Sequence, residues 1–527
     1  MENKVKVAIT GVTGNMGNEV MCELVSSCIV EKFRVLLYAD KKEKAFLKKY
    51  AHLINNGTVE VIHGSIADES ICKHFVCDMD YVINLASVIP PHSDGNPQAA
   101  IECNEKGVNE LVYAIERLPK ENQPKLIHIS TVALYGNRNE KHPYAKVGDP
   151  LLVSPYDVYA ATKLRGEFRV LESSIEKWVV LRQTAMLHKN MLSDNMSDGL
   201  MFHTPFNAPL EWVTAHDSGR LIRKIIEKDS REEVAGFWKR VFNIGAPESN
   251  RITGYETLDH GFSIIGGTAK QFFSPQDNAT RNFHGVWFSD GQELEKLFGY
   301  QSQTETDYWI EMANAHKVYK LGKLLPKRLI RRFTVSKLKH SKNAPAYWAN
   351  NGDSAKLLAF FGGKENYDAL PDKWNGVHIP VKSDYAPDDY HTSQKPDSEI
   401  TIDDLREYAN LHRGQLITQH FETGDVYAKL TWCTQDGTMF TATAYSVICA
   451  GHWYSPIYER FEWDFDRLAK KDKVFAQYWY DSHGSSENVK YYLDEQFNAC
   501  VLPDSVQVRE SKQSKLFSTT IATHTVR

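Results

Sequence analysis

Cysteine is scarce in this chain of 527 residues, and its spacing excludes two kinds of structure. Only eight cysteines occur, which is too few for the disulfide framework of a small secreted protein. No two of them stand as C-x-x-C, so the usual spacing of zinc ligands is missing as well. The sequence therefore predicts reduced thiols and no bound metal, and we expect a cytoplasmic location.

Long apolar runs and an excess of positive charge are also lacking. No stretch reaches the roughly 18 apolar residues of a membrane-spanning helix. The N-terminus enters a strand-like run at once, so we expect no signal peptide. The 62 Lys and Arg are outnumbered by 67 Asp and Glu, giving a net charge of −5, whereas a general nucleic-acid-binding protein would be more basic. We expect no membrane span and no nucleic-acid partner.

The first 130 residues alternate short apolar runs with amphipathic stretches. Five runs predict strands, at Val5–Ile9, Val35–Tyr38, Val59–Ile62, Tyr81–Leu85 and Leu126–Ile129. Three stretches between them predict helices, at Asn18–Ser27, Lys42–Leu53 and Asn104–Arg117. Continuous apolar character is typical of parallel strands buried on both faces. The alternation predicts an α/β fold with a Rossmann-type, doubly wound parallel sheet and a small substrate-binding subdomain.

The composition changes beyond about Glu311, and we divide the chain into four parts. We predict the α/β domain at 1–316, a basic and aromatic connecting segment at 317–399, a C-terminal α+β module at 400–505 and a loose tail at 506–527. Within the connecting segment, residues 384–399 are polar and predict a linker. The module is expected to contain a helix at Ile402–Leu411 and a hairpin around Asp436-Gly437. Six of the 11 tryptophans lie beyond residue 343, so this half is expected to pack its own core.

A glycine-rich motif, Thr10-Gly11-Val12-Thr13-Gly14-Asn15-Met16-Gly17, directly follows the first predicted strand and opens a helix. The glycines permit a tight turn and close approach of a pyrophosphate, while the helix N-terminus offers unpaired N–H groups. Asp40 ends the second predicted strand, where a carboxylate can accept both ribose hydroxyls of NAD and repel a 2′-phosphate. Lys41 and Lys42 follow and could attract that phosphate. NAD is therefore the predicted cofactor, with NADP left open.

A phenol and an ammonium stand one helical turn apart in Tyr159-Ala160-Ala161-Thr162-Lys163. We expect the cation to lower the pKa of the phenol, so that the phenol can pass a proton at neutral pH. In isolation such a pair is more often a surface pair. Thr131 supports the catalytic interpretation, because it ends a predicted central strand, and ligands of open α/β sheets bind at the carboxyl ends of strands.

Together these motifs resemble the extended short-chain dehydrogenase/reductase family, which includes NAD-dependent epimerases, dehydratases and 3β-hydroxysteroid dehydrogenases. The resemblance extends through matches in family order, namely the glycine motif, Asp80–Ser87, Asn104 with Gly107, Thr131 before Tyr135-Gly136, Tyr159 with Lys163, Leu181-Arg182 and Trp212–Asp217. It implies that Tyr159 is the acid/base, that Lys163 binds the nicotinamide ribose and tunes Tyr159, and that Thr131 polarises the substrate oxygen. It also implies a set of cofactor-binding residues, namely Gly11, Thr13, Gly14, Asn15, Met16, Gly17, Asp40, Ser65, Ile66, Leu85, Ala86, Ser87, Tyr159 and Lys163.

Three departures from the family pattern concern the cofactor or the substrate. Ser65 stands where the family usually has an aspartate near the adenine. No acid follows Thr131, where sugar-nucleotide dehydratases have an Asp-Glu pair. Gln183-Thr184-Ala185 follows Arg182 and lacks the asparagine that sugar-nucleotide epimerases commonly present to the diphosphate.

The stretch expected to line the substrate site is apolar, with Met201, Phe202, Phe206, Pro209, Leu210 and Trp212. It suits a bulky hydrophobic alcohol or ketone better than a nucleotide sugar, although the same residues would also suit a core. We therefore predict NAD(P)-dependent hydride transfer at a hydroxyl or keto carbon of a small hydrophobic, steroid-like substrate. The alternatives are an NAD-dependent sugar-nucleotide epimerase and a non-catalytic NAD(P)-sensing scaffold.

Two later segments carry weaker signals. Residues 317–342 contain ten Lys and Arg and no acid, interleaved with Leu321, Leu324, Leu325, Leu329, Ile330 and Phe333. Such a pattern is typical of a solvated face, and it also suits peripheral contact with an anionic membrane.

The module at 400–505 faintly resembles bacterial zinc-ribbon modules through Cys433, Gly437, Phe440 and Gly451-His452-Trp453. Tyr454 and Ile457 replace the last two cysteines, so a four-ligand zinc site cannot form. We expect a metal-free accessory or oligomerisation module, and a homo-oligomer.

Overall fold

The computed structural model describes residues 4–38, 41–191, 199–388, 391 and 395–493. Its strands are β1 (Val5–Thr10), β2 (Val30–Leu37), β3 (Val59–His63), β4 (Tyr81–Asn84), β5 (Lys125–Thr131), β6 (Tyr144–Ala145), β7 (Trp178–Gln183), β8 (Ala185–Leu187), β9 (Pro209–Thr214), β10 (Arg240–Ile244), β11 (Arg251–Thr253), β12 (Trp287–Phe288), β13 (Gln415–Leu416), β14 (Lys429–Cys433), β15 (Met439–Thr443), β16 (Glu462–Trp463) and β17 (Tyr491–Tyr492). A parallel sheet of seven strands, in the order β10-β7-β5-β4-β1-β2-β3, forms the centre.

Helices cover both faces of this sheet and continue through the rest of the chain. They are α1 (Asn15–Ser27), α2 (Glu43–Lys49), α3 (Ala51–Asn55), α4 (Glu69–Val76), α5 (His92–Gly95), α6 (Pro97–Ala100), α7 (Gly107–Glu116), α8 (Val158–Leu171), α9 (Ala215–Asp229), α10 (Gly254–Ser263), α11 (Ala269–Phe272), α12 (Glu293–Phe298), α13 (Glu305–Ala315), α14 (Lys317–Lys320), α15 (Lys327–Phe333), α16 (Val335–Leu338), α17 (Pro345–Asn351), α18 (Ser354–Phe361), α19 (Lys364–Ala369), α20 (Ile402–Leu411), α21 (Phe465–Lys471) and α22 (Lys473–Trp479). Two π-helical segments occur, at Ile101–Lys106 and Tyr445–Cys449.

The central strands are buried on both faces, which confirms the predicted doubly wound α/β sheet. On one face, Ile9 packs in a core with Leu24 of α1 and Ile225 of α9. On the other face, Val82 packs in a core with Leu111 of α7, Leu164 of α8 and their neighbours. Because apolar side chains leave both faces of each strand, the strands have the continuous apolar character from which they were predicted.

Element boundaries differ from the prediction in a few places. β2 begins five residues early, because Val30 already pairs with Val5 of β1. The predicted helix at 42–53 divides into α2 and α3 at Tyr50, whose ring is buried. The predicted helix at 104–117 begins inside the π-helical segment and continues as α7. In the C-terminal region the predicted helix matches α20, and the predicted hairpin is the β14–β15 pair.

The C-terminal region does not pack a core of its own, and this expectation is wrong. One hydrophobic cluster runs from Phe168 and Trp178 of the α/β domain into Tyr445 and Trp432. The rings of Trp178 and Tyr445 lie 6.0 Å apart, edge to face. The Val241 amide donates a hydrogen bond to the Tyr445 hydroxyl at 2.8 Å. The core that is shared with the sheet therefore contains five of the six tryptophans beyond residue 343, namely Trp348, Trp432, Trp453, Trp463 and Trp479.

The stretch that was predicted as a polar linker is partly packed against the α/β domain. Tyr385 is buried, and its hydroxyl donates a hydrogen bond to the Asn207 carbonyl at 2.8 Å. His391 lies 3.1 Å from the carboxylate of Asp149. The domain boundaries at 317, 400 and 506 stay predictions.

A buried ion pair joins the sheet, helix α8 and the C-terminal region. The side chains of Arg182 on β7 and Glu167 on α8 are fully buried, with 2.6 Å between nitrogen and oxygen. The guanidinium also donates to the Ala450 carbonyl at 2.8 Å, and His452 lies 3.0 Å from the Glu167 carboxylate. Burial opposes the charge on Glu167, but Arg182 and His452 outweigh it and hold the pKa of Glu167 far below its usual range.

The same contacts occupy the histidine of the zinc-ribbon pattern. His452 uses both ring nitrogens, one toward the Tyr458 hydroxyl at 2.8 Å and the other toward Glu167. Within the described residues, no group of three or more His, Cys, Asp or Glu side chains is arranged to hold a metal ion. Among the described helices, none has the length and apolar character needed to cross a membrane. The predicted cytoplasmic location and homo-oligomer stay predictions.

Replacing Arg182 by methionine should destabilise the protein strongly. Arg182→Met leaves the buried Glu167 carboxylate without its guanidinium, and breaking a buried pair in this way costs about 3–5 kcal/mol. We expect a clearly lower midpoint of thermal unfolding, followed by circular dichroism. Arg240→Met is the control, because the Arg240–Asp397 pair is partly exposed, at 40% and 20%. An exposed pair contributes about 0–1 kcal/mol, so equal losses in the two variants would mean that the buried pair stabilises the fold no more than an exposed one.

Candidate active site

The loop between β1 and α1 has a shape that only glycine permits at two positions. Gly11 has a φ of +70°, and a Cβ there would lie 2.7 Å from the Ala86 backbone nitrogen. A Cβ on Gly17 would lie 2.2 Å from the Gly11 carbonyl oxygen. Gly14 is the N-cap of α1, and it provides no side-chain cap for the first N–H groups of this helix. A phosphate can therefore approach the backbone and accept hydrogen bonds from these groups, so the loop fits the pyrophosphate of NAD.

Thr10 fixes this loop to the carboxyl end of β4. Its hydroxyl donates to the Asn84 side-chain oxygen at 2.7 Å and accepts from the amides of Leu85 and Ala86 at 3.1 and 3.0 Å. The predicted cofactor residues Leu85, Ala86 and Ser87 are thus brought beside the glycine loop. Thr13, Asn15 and Met16 lie in the loop and the first turn of α1.

The remaining predicted cofactor residues follow β2 and β3. Ser65 comes just after β3, and its hydroxyl accepts a hydrogen bond from the Ala67 amide at 3.1 Å. Ile66 is buried against α7, where a Cβ on Gly107 would lie 2.4 Å from the Ile66 side chain. Asp40 lies outside the described residues, so its contact with the ribose stays a prediction.

Three hydroxyl groups meet at the carboxyl edge of the sheet. Thr131 ends β5, Ser87 follows β4, and Tyr159 is the second residue of α8. Burial raises the pKa of Tyr159 to about 12, while hydrogen bonding with Thr131 and Ser87 acts in the opposite direction. The nearby carboxylate of Asp157 adds to the increase. The two hydroxyls therefore favour the phenolate in a site that otherwise favours the neutral phenol.

Lys163 lies one turn further along α8 and is almost completely buried. Its ammonium donates a hydrogen bond to the Ile129 carbonyl at 2.5 Å. Burial lowers the pKa of Lys163 to about 8, although interactions with Cys103 and Glu167 favour its charged form. The expected lowering of the Tyr159 pKa by this ammonium is not found, because Lys163 is directed toward the β5 backbone.

Helix α8 is held in place at its N-terminus and along its side. Asp157 caps the N-terminus by accepting a hydrogen bond from the Ala160 amide at 2.8 Å. The Asn104 amide donates to the Thr162 hydroxyl at 3.1 Å, and the Ser87 hydroxyl donates to the Asn104 oxygen at 3.1 Å. The Asn104–Gly107 motif therefore links α8 to the residues that follow β4.

A group of charged side chains next to Tyr159 was not predicted. The Asp157 carboxylate lies 3.0 Å from the His284 ring nitrogen. Asp94 is exposed and within electrostatic reach of Asp157, His284 and Lys356. Asp157 had a local signal, since it precedes Tyr159 by two residues and aspartate is favoured as a helix N-cap. Nothing in the sequence indicated that His284 and Lys356 come here from distant segments.

Part of the apolar stretch that was expected to line the substrate site belongs to hydrophobic cores. Met201 and Phe202 are buried in a cluster with Phe262 and Phe273. Leu210 is 3% exposed, and its carbonyl accepts a hydrogen bond from the Trp287 indole at 3.1 Å. These contacts favour the core interpretation over a substrate lining. Phe206, Pro209 and Trp212 complete the stretch, and only Pro209 among these three is buried.

Comparison with known proteins agrees with the motifs. Residues 7–194 match the family model of the NAD dependent epimerase/dehydratase family. The resemblance to extended short-chain dehydrogenases/reductases is confirmed over these residues, and the match agrees with the predicted enzyme class and with NAD as the predicted cofactor. The zinc-ribbon resemblance receives no support. No curated protein matches the sequence.

Two solved structures show the extent of the similarity. UDP-glucuronic acid 4-epimerase from Bacillus cereus, in complex with UDP-glucuronic acid and NAD, is 19% identical, with 59% of this chain and 99% of that chain covered and a TM-score of 0.47. A dTDP-glucose 4,6-dehydratase double mutant from Streptomyces venezuelae, with NAD bound, is 17% identical, with 59% and 96% covered and a TM-score of 0.46. At this level the likeness carries no conclusion about the substrate.

Adding a methyl group at Gly17 should impair cofactor binding. Gly17→Ala places a Cβ where the Gly11 carbonyl now lies, so the loop must shift away from the geometry that receives the pyrophosphate. We expect NADH to bind at least about tenfold more weakly in a fluorescence titration, a loss equivalent to about 1.4 kcal/mol. Gly484→Ala is the control, because its Cβ would make only ordinary contacts with Glu487. Unchanged NADH affinity in Gly17→Ala would place the cofactor elsewhere.

Proposed function

We propose that Thr131, Tyr159 and Lys163 catalyse hydride transfer at a hydroxyl or keto carbon of a small substrate, with proton transfer through Tyr159. The observation that carries this proposal is the meeting of the Thr131 and Ser87 hydroxyls with the buried phenol, next to a glycine loop that fits NAD. Tyr159 contributes the exchangeable proton, and Thr131 polarises the substrate oxygen. Lys163 binds the nicotinamide ribose, and the residues predicted for the cofactor hold it in the cleft.

In the oxidation direction, the hydroxyl proton of the substrate passes to the Tyr159 phenolate while the carbon releases its hydride. NAD, when bound, supplies the hydride acceptor, and in its reduced form the donor. Reduction reverses both transfers, so Tyr159 then gives its proton to the forming alkoxide. Thr131 and Ser87 support either direction because their hydroxyls stabilise negative charge on the phenol oxygen.

Two substrate classes fit this chemistry. The first is a hydrophobic, steroid-like alcohol or ketone, as the apolar stretch predicts, with Phe206 and Trp212 as its half-buried members. The second is a sugar nucleotide, on which the enzyme would act as an epimerase with tightly held NAD. The charged group near Tyr159 supports this second class, because the paired side chains of Asp157 and His284 suit a polar substrate better than an apolar one.

A screen of hydrophobic ketones and UDP-sugars distinguishes the two classes. A dehydrogenase or reductase consumes or forms NADH, which absorbance at 340 nm follows directly. An epimerase converts UDP-sugars without a net change in NADH, which chromatography of the products detects. Turnover of hydrophobic ketones alone would exclude the epimerase.

The cofactor preference tests the role of Asp40. A carboxylate three residues after β2 in the sequence would repel a 2′-phosphate, so NADH should bind more tightly than NADPH in parallel fluorescence titrations. Asp40→Asn should reduce this preference by removing the negative charge. Clearly tighter binding of NADPH to the native protein would mean that Lys41 or Lys42 governs the ribose pocket.

Substitutions at the three catalytic positions test the mechanism. Tyr159→Phe removes the exchangeable proton but keeps the ring, so turnover should fall about 10²–10⁴-fold while cofactor binding stays nearly intact. Lys163→Met should reduce both turnover and cofactor affinity. Thr131→Ser should keep much of the activity and Thr131→Val little, because only the hydroxyl is required. Turnover is measured on the substrate found in the screen, with NADH titration as the binding control.

One outcome would refute the mechanism. Near-normal turnover of Tyr159→Phe on the true substrate would mean that the phenol passes no proton. If the native protein also turns over no substrate but binds NADH, the NAD(P)-sensing scaffold becomes the better interpretation.

A further inference from the structure

Five large apolar side chains are exposed within a short part of the connecting segment. Leu321, Leu324, Leu325, Leu329 and Phe333 are exposed by 59, 81, 48, 43 and 68%. Leu321 and Leu324 belong to a 3₁₀ turn at Leu321–Leu324, Leu325 follows it, and Leu329 and Phe333 belong to α15. Single exposed apolar residues are ordinary on a protein surface, but a group of this kind marks an interaction site. We call these five residues, with the exposed basic residues among and after them, the 321–337 face.

The basic residues of this face have no acidic counterparts nearby in sequence. Lys323, Arg328, Arg332 and Lys337 are exposed, and the stretch 317–342 contains no Asp or Glu. Within the described residues, none of these four cations forms an ion pair, whereas Lys339 is paired with Asp277 at 2.6 Å. Unpaired positive charge therefore surrounds the exposed leucines and Phe333.

The 321–337 face is anchored to the domain from behind. Ile330, Val335 and Leu338 are buried in a cluster with Phe262 and Phe272. The Lys327 ammonium donates hydrogen bonds to the carbonyls of Ile265 and Gly322, both at 3.1 Å. The apolar residues of this segment thus divide into a set that packs inward and a set that points away from the domain. The outward set is part of a packed structure and is not simply an unpacked chain.

We propose that the 321–337 face docks on the surface of an anionic lipid bilayer. The exposed leucines and Phe333 would enter the boundary between headgroups and acyl chains, and the basic residues would lie among anionic headgroups. Each Lys or Arg near such a surface contributes about 1 kcal/mol of binding.

Charge complementarity favours a bilayer over a second copy of this chain. In a symmetric dimer the same face would meet itself, so the unpaired cations would be placed opposite one another. Like charges in an interface oppose association by several kcal/mol. Anionic lipid instead supplies the opposite charge and an apolar layer together. The proposal does not depend on the proposed catalytic activity.

Co-sedimentation of the full-length protein with vesicles tests the proposal. We expect binding to phosphatidylcholine vesicles that contain phosphatidylserine, and little binding to phosphatidylcholine alone. Binding should be strong at low salt, about 0.01 M, where the Debye length is about 30 Å, and should weaken steeply toward about 0.3 M. Absence of co-sedimentation at low salt would overturn the proposal.

A charge variant shows whether this face is the one that binds. Arg328→Gln/Arg332→Gln/Lys337→Gln removes three exposed cations and should lower the partition coefficient roughly a hundredfold. Lys48→Gln/Lys373→Gln/Lys473→Gln is the matched control, because it removes three exposed lysines from other segments. Equal loss in both variants would mean that net charge alone drives binding, and would overturn the assignment.

An apolar variant tests insertion. Leu324→Ser/Phe333→Ser should remove the part of vesicle binding that persists at higher salt, and Leu411→Ser/Ile417→Ser serves as its control. All four are exposed, so circular dichroism should show an unchanged fold. If the native protein instead forms a dimer that Leu324→Ser/Phe333→Ser dissociates, without binding vesicles, this face is a contact between copies and the proposal is wrong.

Discussion

The buried pair of Arg182 and Glu167 is the constraint on which the arrangement of the candidate site depends. Neither charge is exposed, so each needs its full set of partners to offset the loss of hydration. Those partners come from the central sheet, from the residues that follow β5 and from the C-terminal region. Ser130 of β5 donates a hydrogen bond to the Glu167 carboxylate, and the Tyr135 hydroxyl lies 2.7 Å from the guanidinium. The strand that ends at Thr131 and the helix that carries Tyr159 are thereby held in one fixed relation.

The C-terminal region is part of this arrangement. Besides His452, it provides the Ile457 carbonyl, which accepts a hydrogen bond from Arg165 at 2.8 Å. It also provides Thr443 and Ser446, whose hydroxyls lie 2.9 and 2.5 Å from the carboxylate of Glu172 just after α8. Helix α8 thus lies between the sheet and residues 400–493. Changes in the C-terminal region are expected to reach Tyr159 through the position of this helix, although no described contact joins that region to the phenol.

The sequence was most informative where a local pattern occurs in only one structural setting. Strands buried on both faces must be continuously apolar, and the glycines at 11 and 17 occupy positions where any Cβ meets backbone. Prediction failed where the same local pattern occurs in two different structural settings. The tryptophans of the C-terminal region indicate that their side chains are buried, but not which part of the protein they pack against. The core that they share with Trp178 of the α/β domain was therefore not predicted. Likewise, Met201 and Phe202 would be apolar in a pocket or in a core.

Contacts between residues far apart in the sequence were the second feature that the sequence could not predict. His284 meets Asp157 from 127 residues away, and no feature of either local sequence indicates the other. The direction of Lys163 is a related case. The i, i+4 spacing places its Cα near that of Tyr159, but the depth of the burial and the position of the Ile129 carbonyl decide where the ammonium lies. The i, i+4 spacing alone therefore could not predict whether Lys163 lowers the pKa of Tyr159.

Arg182 and Lys163 are both buried cations, but only Arg182 is paired with a carboxylate. Arg182 has a carboxylate in contact, and its pKa stays high despite burial. Lys163 contacts a neutral carbonyl, and its pKa falls from 10.5 to about 8. Between those two values the unfolded chain binds more protons at this residue than the folded one, so its contribution to stability improves as pH rises from about 8 to 10.5. At neutral pH a charged Lys163 therefore opposes folding, whereas Arg182 is compensated within the protein. This uncompensated burial agrees with the role in ribose binding that we propose for Lys163, and it is not needed to hold the fold together.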